Sequence, residues 1–172
     1  MAWLAMLCAC WKNGRSMGKR VARLLFLAYS LWMLWLLFGQ RIGDWSGGPY
    51  AVFMEQNLNL VPLATIRRYS NVLRYSADFG LRKQAVVNLA GNVCLFVPLG
   101  VFLPWIWPKL RSFRRMLLCA SGVILAVEGI QFLSFLGCCD VDDFILNMVG
   151  IFMGFVLWKL AAPILDSRRK SP

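Results

Sequence analysis

Histidine is missing from this chain altogether, and its 172 residues carry only 8 acidic side chains against 19 basic ones. Without an imidazole there is no Ser–His or Cys–His couple to activate a nucleophile, and no His ligand for a transition metal. The six cysteines include no C-x-x-C pair, so they supply no zinc framework. Cys94 and Cys119 lie inside apolar runs as small apolar residues. Cys138 and Cys139 are adjacent, a spacing that rarely closes a comfortable disulfide, and read as two thiols at a turn.

What the chain does have is apolar material: 59% hydrophobic residues, eight Trp and a mean hydropathy of +0.60. That is too apolar for a soluble domain whose surface must be wetted, so the fold class is an all-α integral membrane bundle. With ~20 residues needed per spanning helix, four blocks qualify, at 21–39, 85–107, 115–137 and 144–165. The chain therefore divides into a tail at 1–20, a four-helix membrane domain at 21–165 and a basic tail at 166–172. The opening MAWLAMLCACW is too short to span and lacks the charged start and cleavage site of a signal peptide. Met17, followed by GKRVARLLF, makes an equally good beginning.

Basic residues sit on three flanks: Arg15, Lys19, Arg20 and Arg23 before span one; Lys109, Arg111, Arg114 and Arg115 between spans two and three; Arg168, Arg169 and Lys170 after span four. The positive-inside rule places these flanks, and both termini, in the cytoplasm of a bacterial cell membrane. The segment 40–84 and the turn GCCDVDD then face outward. The net charge of +11 is explained by flanks facing an anionic inner leaflet, so membrane lipid is the partner it implies and nucleic acid is not.

Within the outer segment, NLVPLATI (59–66) reads as a turn into a helix, with Asn59 placed to cap and Pro62 in the first turn. Leu63, Ile66, Tyr69, Val72 and Leu73 then recur at helical spacing, with Arg67, Asn71 and Arg74 on another side. This is an amphipathic helix lying in the interface plane between spans one and two. Its arginines form either a solvated basic face over lipid headgroups or a clamp for a phosphate or carboxylate.

Span two contains VNLAGNVCLFVPLGVFLP (87–104), in which Asn88 and Asn92 share a face and Gly91 suits close helix approach. Pro98 interrupts the backbone ladder near the middle. The two amides either line a cavity or bridge helices. The stretch 127–150, VEGIQFLSFLGCCDVDDFILNMVG, sets Glu128, Gln131, Asp140, Asp142, Asp143 and Asn147 in apolar surroundings. A carboxylate at the centre of a spanning helix costs roughly 2.5–3.5 kcal/mol even on lenient insertion scales, so a function or a partner must offset it. Asp143 and Asn147 share a face, and Gly150 and Gly154 make a small-xxx-small packing seam. The topology gathers Asn88, Asn92, Glu128, Gln131, Asp140, Asp143 and Asn147 at one depth near the outer leaflet. Such carboxylates and amides suit a hard cation, a proton or the cationic part of a ligand, leaving the metal question open; no cofactor is called for.

Four blocks in order, NLVPLATI, VNLAGNVCLFVPLGVFLP, the Glu128 and Gln131 pair, and DVDDFILNMVG, resemble the VanZ family of small bacterial membrane proteins. Asn59 and Pro62 match its N-x-x-P block. Asn88, Asn92, Pro98 and Gly100 match its second block, Glu128 and Gln131 its E-x-x-Q pair, and Asp140, Asp143, Asn147 and Gly150 its last block. Similar proteins carry an Arg shortly before the first Asp of that block, where this chain has Cys138 and Cys139, so this chain would either use another cation, Arg67 or Arg74, or tolerate a raised carboxylate pKa.

The resemblance implies an association with glycopeptide resistance, chiefly towards lipoglycopeptides such as teicoplanin, and hands over no activity; the expectation is a non-enzymatic protein. The reading is an outer site, built from Asn59, Arg67, Arg74, Asn88, Asn92, Glu128, Gln131, Asp140, Asp143 and Asn147, for a lipid, a lipid-linked envelope precursor or a lipoglycopeptide. The alternatives are a membrane enzyme using Glu128 as acid or base with Asp140 and Asp143 on a metal, a small lipid carrier, and a structural subunit whose amides and carboxylates only join helices. Four spans make a thin wall around any cavity, which favours a homodimer.

Overall fold

Backbone groups inside a bilayer have no water to bond, so each apolar block must satisfy itself as a helix. In a computed structural model, which describes residues 15–39, 52–53, 57–135, 137 and 139–167, this is what the chain does. The elements are α1 (Arg15–Leu37), β1 (Leu58–Asn59), α2 (Ala64–Tyr75), α3 (Phe79–Ile106), α4 (Phe113–Leu133), β2 (Cys139–Asp140) and α5 (Val141–Ser167). A 3-10 turn, Pro108–Arg111, joins α3 to α4. Four helices, α1, α3, α4 and α5, are long and apolar enough to cross a membrane. The opening MAWLAMLCACW, Cys138 and the basic residues at 168–170 fall outside the described residues.

The helix ends depart from expectation for local reasons. α3 begins at Phe79 rather than at 85 because Asp78 caps it, its side chain accepting the Leu81 N–H at 2.7 Å. At 28 residues and ~1.5 Å of rise each, α3 is longer than a hydrocarbon core of about 30 Å requires. The helix runs unbroken through Pro98 and Pro104. α4 stops at Leu133 rather than at 137: the Ser134 hydroxyl donates to the Ile130 carbonyl, and Phe135 turns the chain with a left-handed φ of 60°.

Helix directions follow from which residues meet. Val93 and Val97 of α3 lie against Gly150 and Gly154 of α5, so these two helices run parallel. Tyr29 of α1 donates to the Leu95 carbonyl at 2.6 Å, and Phe26 packs edge-on against Phe102, so α1 runs antiparallel to α3. Phe113 meets Phe152 and Phe155 while Glu128 meets Asn147, which sets α4 antiparallel to α5. The core between the helices holds Met33, Phe96, Leu99, Leu103, Met116, Ile124, Ile151 and Phe155.

The seam between α3 and α5 is built on glycine. A Cβ at Gly150 would drive into the Val93 carbonyl, one at Gly154 into the Val97 carbonyl, and one at Gly100 into the Ile151 carbonyl. Gly91, which the pattern marks for close approach, has nothing within 4 Å of a built Cβ. The correction has a simple cause: Gly91 lies on the face of α3 that borders a cleft, whereas Gly100 lies on the face that meets α5.

One non-helical feature was not expected. β1 and β2 pair in parallel, with Leu58 opposite Cys139 and Asn59 opposite Asp140. This short ladder ties the segment entering α2 to the segment entering α5.

Candidate functional site

Among the described residues, the buried polar side chains gather at the end of the bundle where α1 and α4 finish and α3 and α5 begin, with α2 against it. Thr65, Glu128, Gln131, Asp140, Asp142 and Asn147 are the buried polar residues. They fall into distinct groups.

The first group is a latch under α2. The Asp140 carboxylate accepts from Asn59 Nδ2 at 3.1 Å, from the Thr65 hydroxyl at 2.6 Å and from the backbone N–H of Asp142 at 2.8 Å. Asp142, fully buried, accepts the backbone N–H of Leu63 at 2.5 Å on one oxygen and that of Ile66 at 3.0 Å on the other. A carboxylate on α5 thus caps the N-terminus of α2, where orphan N–H groups and the helix dipole favour a negative charge. Asn59 does not take this role. Its Oδ1 accepts the Val61 N–H at 3.2 Å in a local turn, because the helix starts too far along the chain for it to reach. Leu63, the residue before α2, has a left-handed φ of 65° and no side-chain cap of its own.

Asn92 on α3 donates to Asp143 on α5 at 2.5 Å. Deeper in the bundle, Asn147 donates to Glu128 at 3.5 Å, at the limit of a hydrogen bond. Gln131 instead reaches the end of α1, donating to the Leu37 carbonyl at 2.9 Å. Asn147 Oδ1 and Asn88 Oδ1 are buried and have no hydrogen-bond partner among the described residues. A buried unsatisfied acceptor costs about 1–3 kcal/mol, so each is a place where a donor from outside the chain would be favoured.

Asn88 opens onto a cleft of about 470 Å³ between α1, α2 and α3. Trp32 and Leu36 form one wall and Tyr69 of α2 another; Asn88, Gly91 and Asn92 lie along α3. The missing Cβ of Gly91 keeps this strip open. The two amides therefore do line a cleft, and Asn92 also bridges two helices.

Arg67 and Arg74 stand apart from the carboxylates. Both are on the exposed side of α2, while Thr65 is buried and Ile66, Tyr69, Val72 and Leu73 are half-buried. Arg74 stacks over Tyr75, 5.9 Å from its ring centroid. The amphipathic helix is as expected, and its two arginines do not substitute as cations for the buried acids. The α2 register explains this: the residues facing the carboxylates are the N-terminal amides, not the arginines.

Two residues central to the geometry were missed by sequence reasoning, Asp142 as the cap and Thr65 as the hydroxyl on Asp140. A signal existed: the run Val61-Pro62-Leu63 leading into α2 puts no Ser, Thr, Asp or Asn at its cap, and α5 offers consecutive acids in its first turn. Among the described residues no three acidic or thiol side chains gather to hold a metal ion.

Cys139 is a free, half-buried thiol whose pKa is pushed up, first by burial and then by the charges of Glu128 and Asp140. The thiolate is the reactive form, so with the remaining cysteines replaced, Cys139 should react with a maleimide more slowly at neutral pH than a free thiol. The rate should climb only as the pH is taken above the ordinary thiol range. A neutral-pH rate equal to that of free cysteine would contradict this environment.

The VanZ/LLP1 family model matches residues 24–162, which reaches from within α1 to near the end of α5. The chain is similar to protein VanZ of Enterococcus faecium, with 25% identity over 154 residues, 89% of this chain and 83% of that protein. No solved structure matches the chain. The chain belongs to the VanZ/LLP1 family.

Proposed function

We propose that this VanZ-like chain works in the bacterial cytoplasmic membrane, with both termini cytoplasmic and the α2 end outward. There it alters susceptibility to glycopeptide and lipoglycopeptide antibiotics of the teicoplanin kind by binding a lipid or lipid-linked headgroup. The observation that carries this is the buried Asn88 carbonyl oxygen, left without a partner beside a mostly apolar cleft of about 470 Å³. A lipid offers both halves of what that cleft lacks: a chain for the walls of Trp32, Leu36 and Leu95, and a headgroup donor for Asn88. The latch of Asn59, Thr65, Asp140 and Asp142 holds α2, and with it Tyr69, as one wall.

Family membership supports the resistance phenotype, and the four apolar helices support the membrane setting. Binding also asks less of the carboxylates than metal-assisted turnover would. Asp140 is bonded to Asn59 and Thr65, whereas Asp143 is bonded to Asn92, so a shared metal would have to displace both sets of partners.

The test is teicoplanin and vancomycin susceptibility of a deletion strain carrying wild type, Asn88→Ala, Glu128→Gln or Asp143→Asn, with membrane levels measured by blot. Wild type should protect and the three variants should fall to the empty-vector level while still inserting. Full protection by all three at wild-type abundance would overturn the reading.

A further inference from the structure

We infer that the corner between α2 and α3 binds an anionic glycerophospholipid of the surrounding bilayer, its phosphate on Arg82 and Lys83 and its two chains in adjoining clefts. This deepens the lipid-binding reading above and rests on it.

Among the described residues, the corner is basic with little counter-charge. Arg67, Arg68, Arg74, Arg82 and Lys83 fall within a stretch whose sole acid is Asp78, and all five are exposed. Asp78 is engaged as the cap of α3. On the outward orientation proposed above, such a cluster runs against the usual distribution of charge, so a ligand is a better account of it than topology. Arg82 is also held in place. Its Nη1 donates to the Leu73 carbonyl at 2.8 Å and to the Ser76 carbonyl at 3.3 Å, at the C-terminal end of α2. A guanidinium carries five N–H donors, so the rest of the fork stays available to a phosphate oxygen.

Apolar space begins directly beneath the charges. Arg82 and Lys83 share a second cleft, of about 330 Å³, with Leu73, Phe79, Val86 and Val87. Val87 also borders the larger cleft that holds Asn88, so the two meet at one residue of α3. A free phosphate would make no use of this surface. A polyprenyl phosphate would fill one cleft, whereas a diacyl lipid fills both. Tyr75 and Phe79, 74% and 81% exposed, stand at the rim where aromatic rings favour the headgroup layer.

The full-length protein in detergent would be incubated with phosphatidylglycerol, phosphatidylcholine, a polyprenyl phosphate or inorganic phosphate, and retained species counted by native mass spectrometry. Phosphatidylglycerol should be retained over the other three. At about 1 kcal/mol per basic residue near an anionic lipid, Arg74→Gln with Lys83→Gln should weaken its retention by about thirtyfold, with helicity unchanged. Val87→Trp, which fills the junction, should reduce it without removing a charge. Arg82→Gln is set aside for this purpose because it also unties α2.

Equal retention of phosphatidylglycerol and phosphatidylcholine would overturn the assignment, as would wild-type retention in the double variant. Preference for the polyprenyl phosphate, or displacement of phosphatidylglycerol by inorganic phosphate, would overturn it too. If phosphatidylglycerol does not bind selectively yet Asn88→Ala abolishes protection, this assignment alone falls. If it binds selectively yet Asn88→Ala, Glu128→Gln and Asp143→Asn all protect normally, the assignment stands and the functional reading falls.

Discussion

Gly150→Val or Gly154→Val should leave almost no folded protein in the membrane. Overpacking a core usually costs about 1–3 kcal/mol because side chains and backbone can shift slightly. Here the atoms in the way are the backbone carbonyls of Val93 and Val97, on a helix that cannot yield at one residue without moving as a whole. Sliding α3 away would also uncover Phe96, Leu99 and Ile151 in the core and pull Asn92 from Asp143. The expected cost is therefore above the usual overpacking range, a large share of the ~5–15 kcal/mol by which domains are stable. Even Gly150→Ala with Gly154→Ala should fail, since the offending atom is the Cβ itself. Gly122→Ala is the matched control, with nothing within 4 Å of its built Cβ. The measurement is the yield and thermal transition of detergent-purified protein by size-exclusion fluorescence. A monodisperse Gly150→Val protein with a wild-type transition would show that α3 and α5 do not pack this closely.

That seam was legible because its cause is local: small residues four apart on an apolar helix have one common use. The four spans were legible for the same reason, since ~20 apolar residues admit few other structures. Asn92 and Asp143 were also readable, once basic flanks had set α3 and α5 running the same way from the same end. What sequence could not show is which acid serves which helix. Asp140, Asp142 and Asp143 lie within four residues, and their partners are Asn59 with Thr65, the amides of Leu63 and Ile66, and Asn92. These partners sit 51 to 81 positions away along the chain, and no periodicity records them. The pairing of β1 with β2 escaped for a related reason: two-residue strands carry no alternation to read. Gly91 failed in the opposite direction, because absence of a Cβ is the same signal whether it admits a helix or leaves room for a ligand.

Asp142→Asn should release α2 while the four long helices stay assembled. The carboxylate accepts one backbone N–H on each oxygen; an amide has a single acceptor oxygen and turns an NH₂ towards the second donor. One of the Leu63 and Ile66 amides is thereby left unsatisfied, at about 1–3 kcal/mol, and the favourable charge at the helix N-terminus is lost as well, at up to ~2 kcal/mol. Leu63 adds to the effect. Its left-handed φ of 65° is held by the bond its N–H makes to Asp142, and a non-glycine residue there stores on the order of 1 kcal/mol that release would recover. Hydrogen exchange should therefore accelerate across residues 63–75 in Asp142→Asn and stay unchanged in α3 and α5. Adding Leu63→Gly should restore part of the protection, because glycine adopts this backbone conformation without strain. Because Tyr69 walls the larger cleft, antibiotic protection should fall with α2 and return partly with the second substitution. Unchanged exchange in α2 would mean that the helix does not depend on this cap, and the latch would then rest on Thr65 and Asn59 against Asp140 alone.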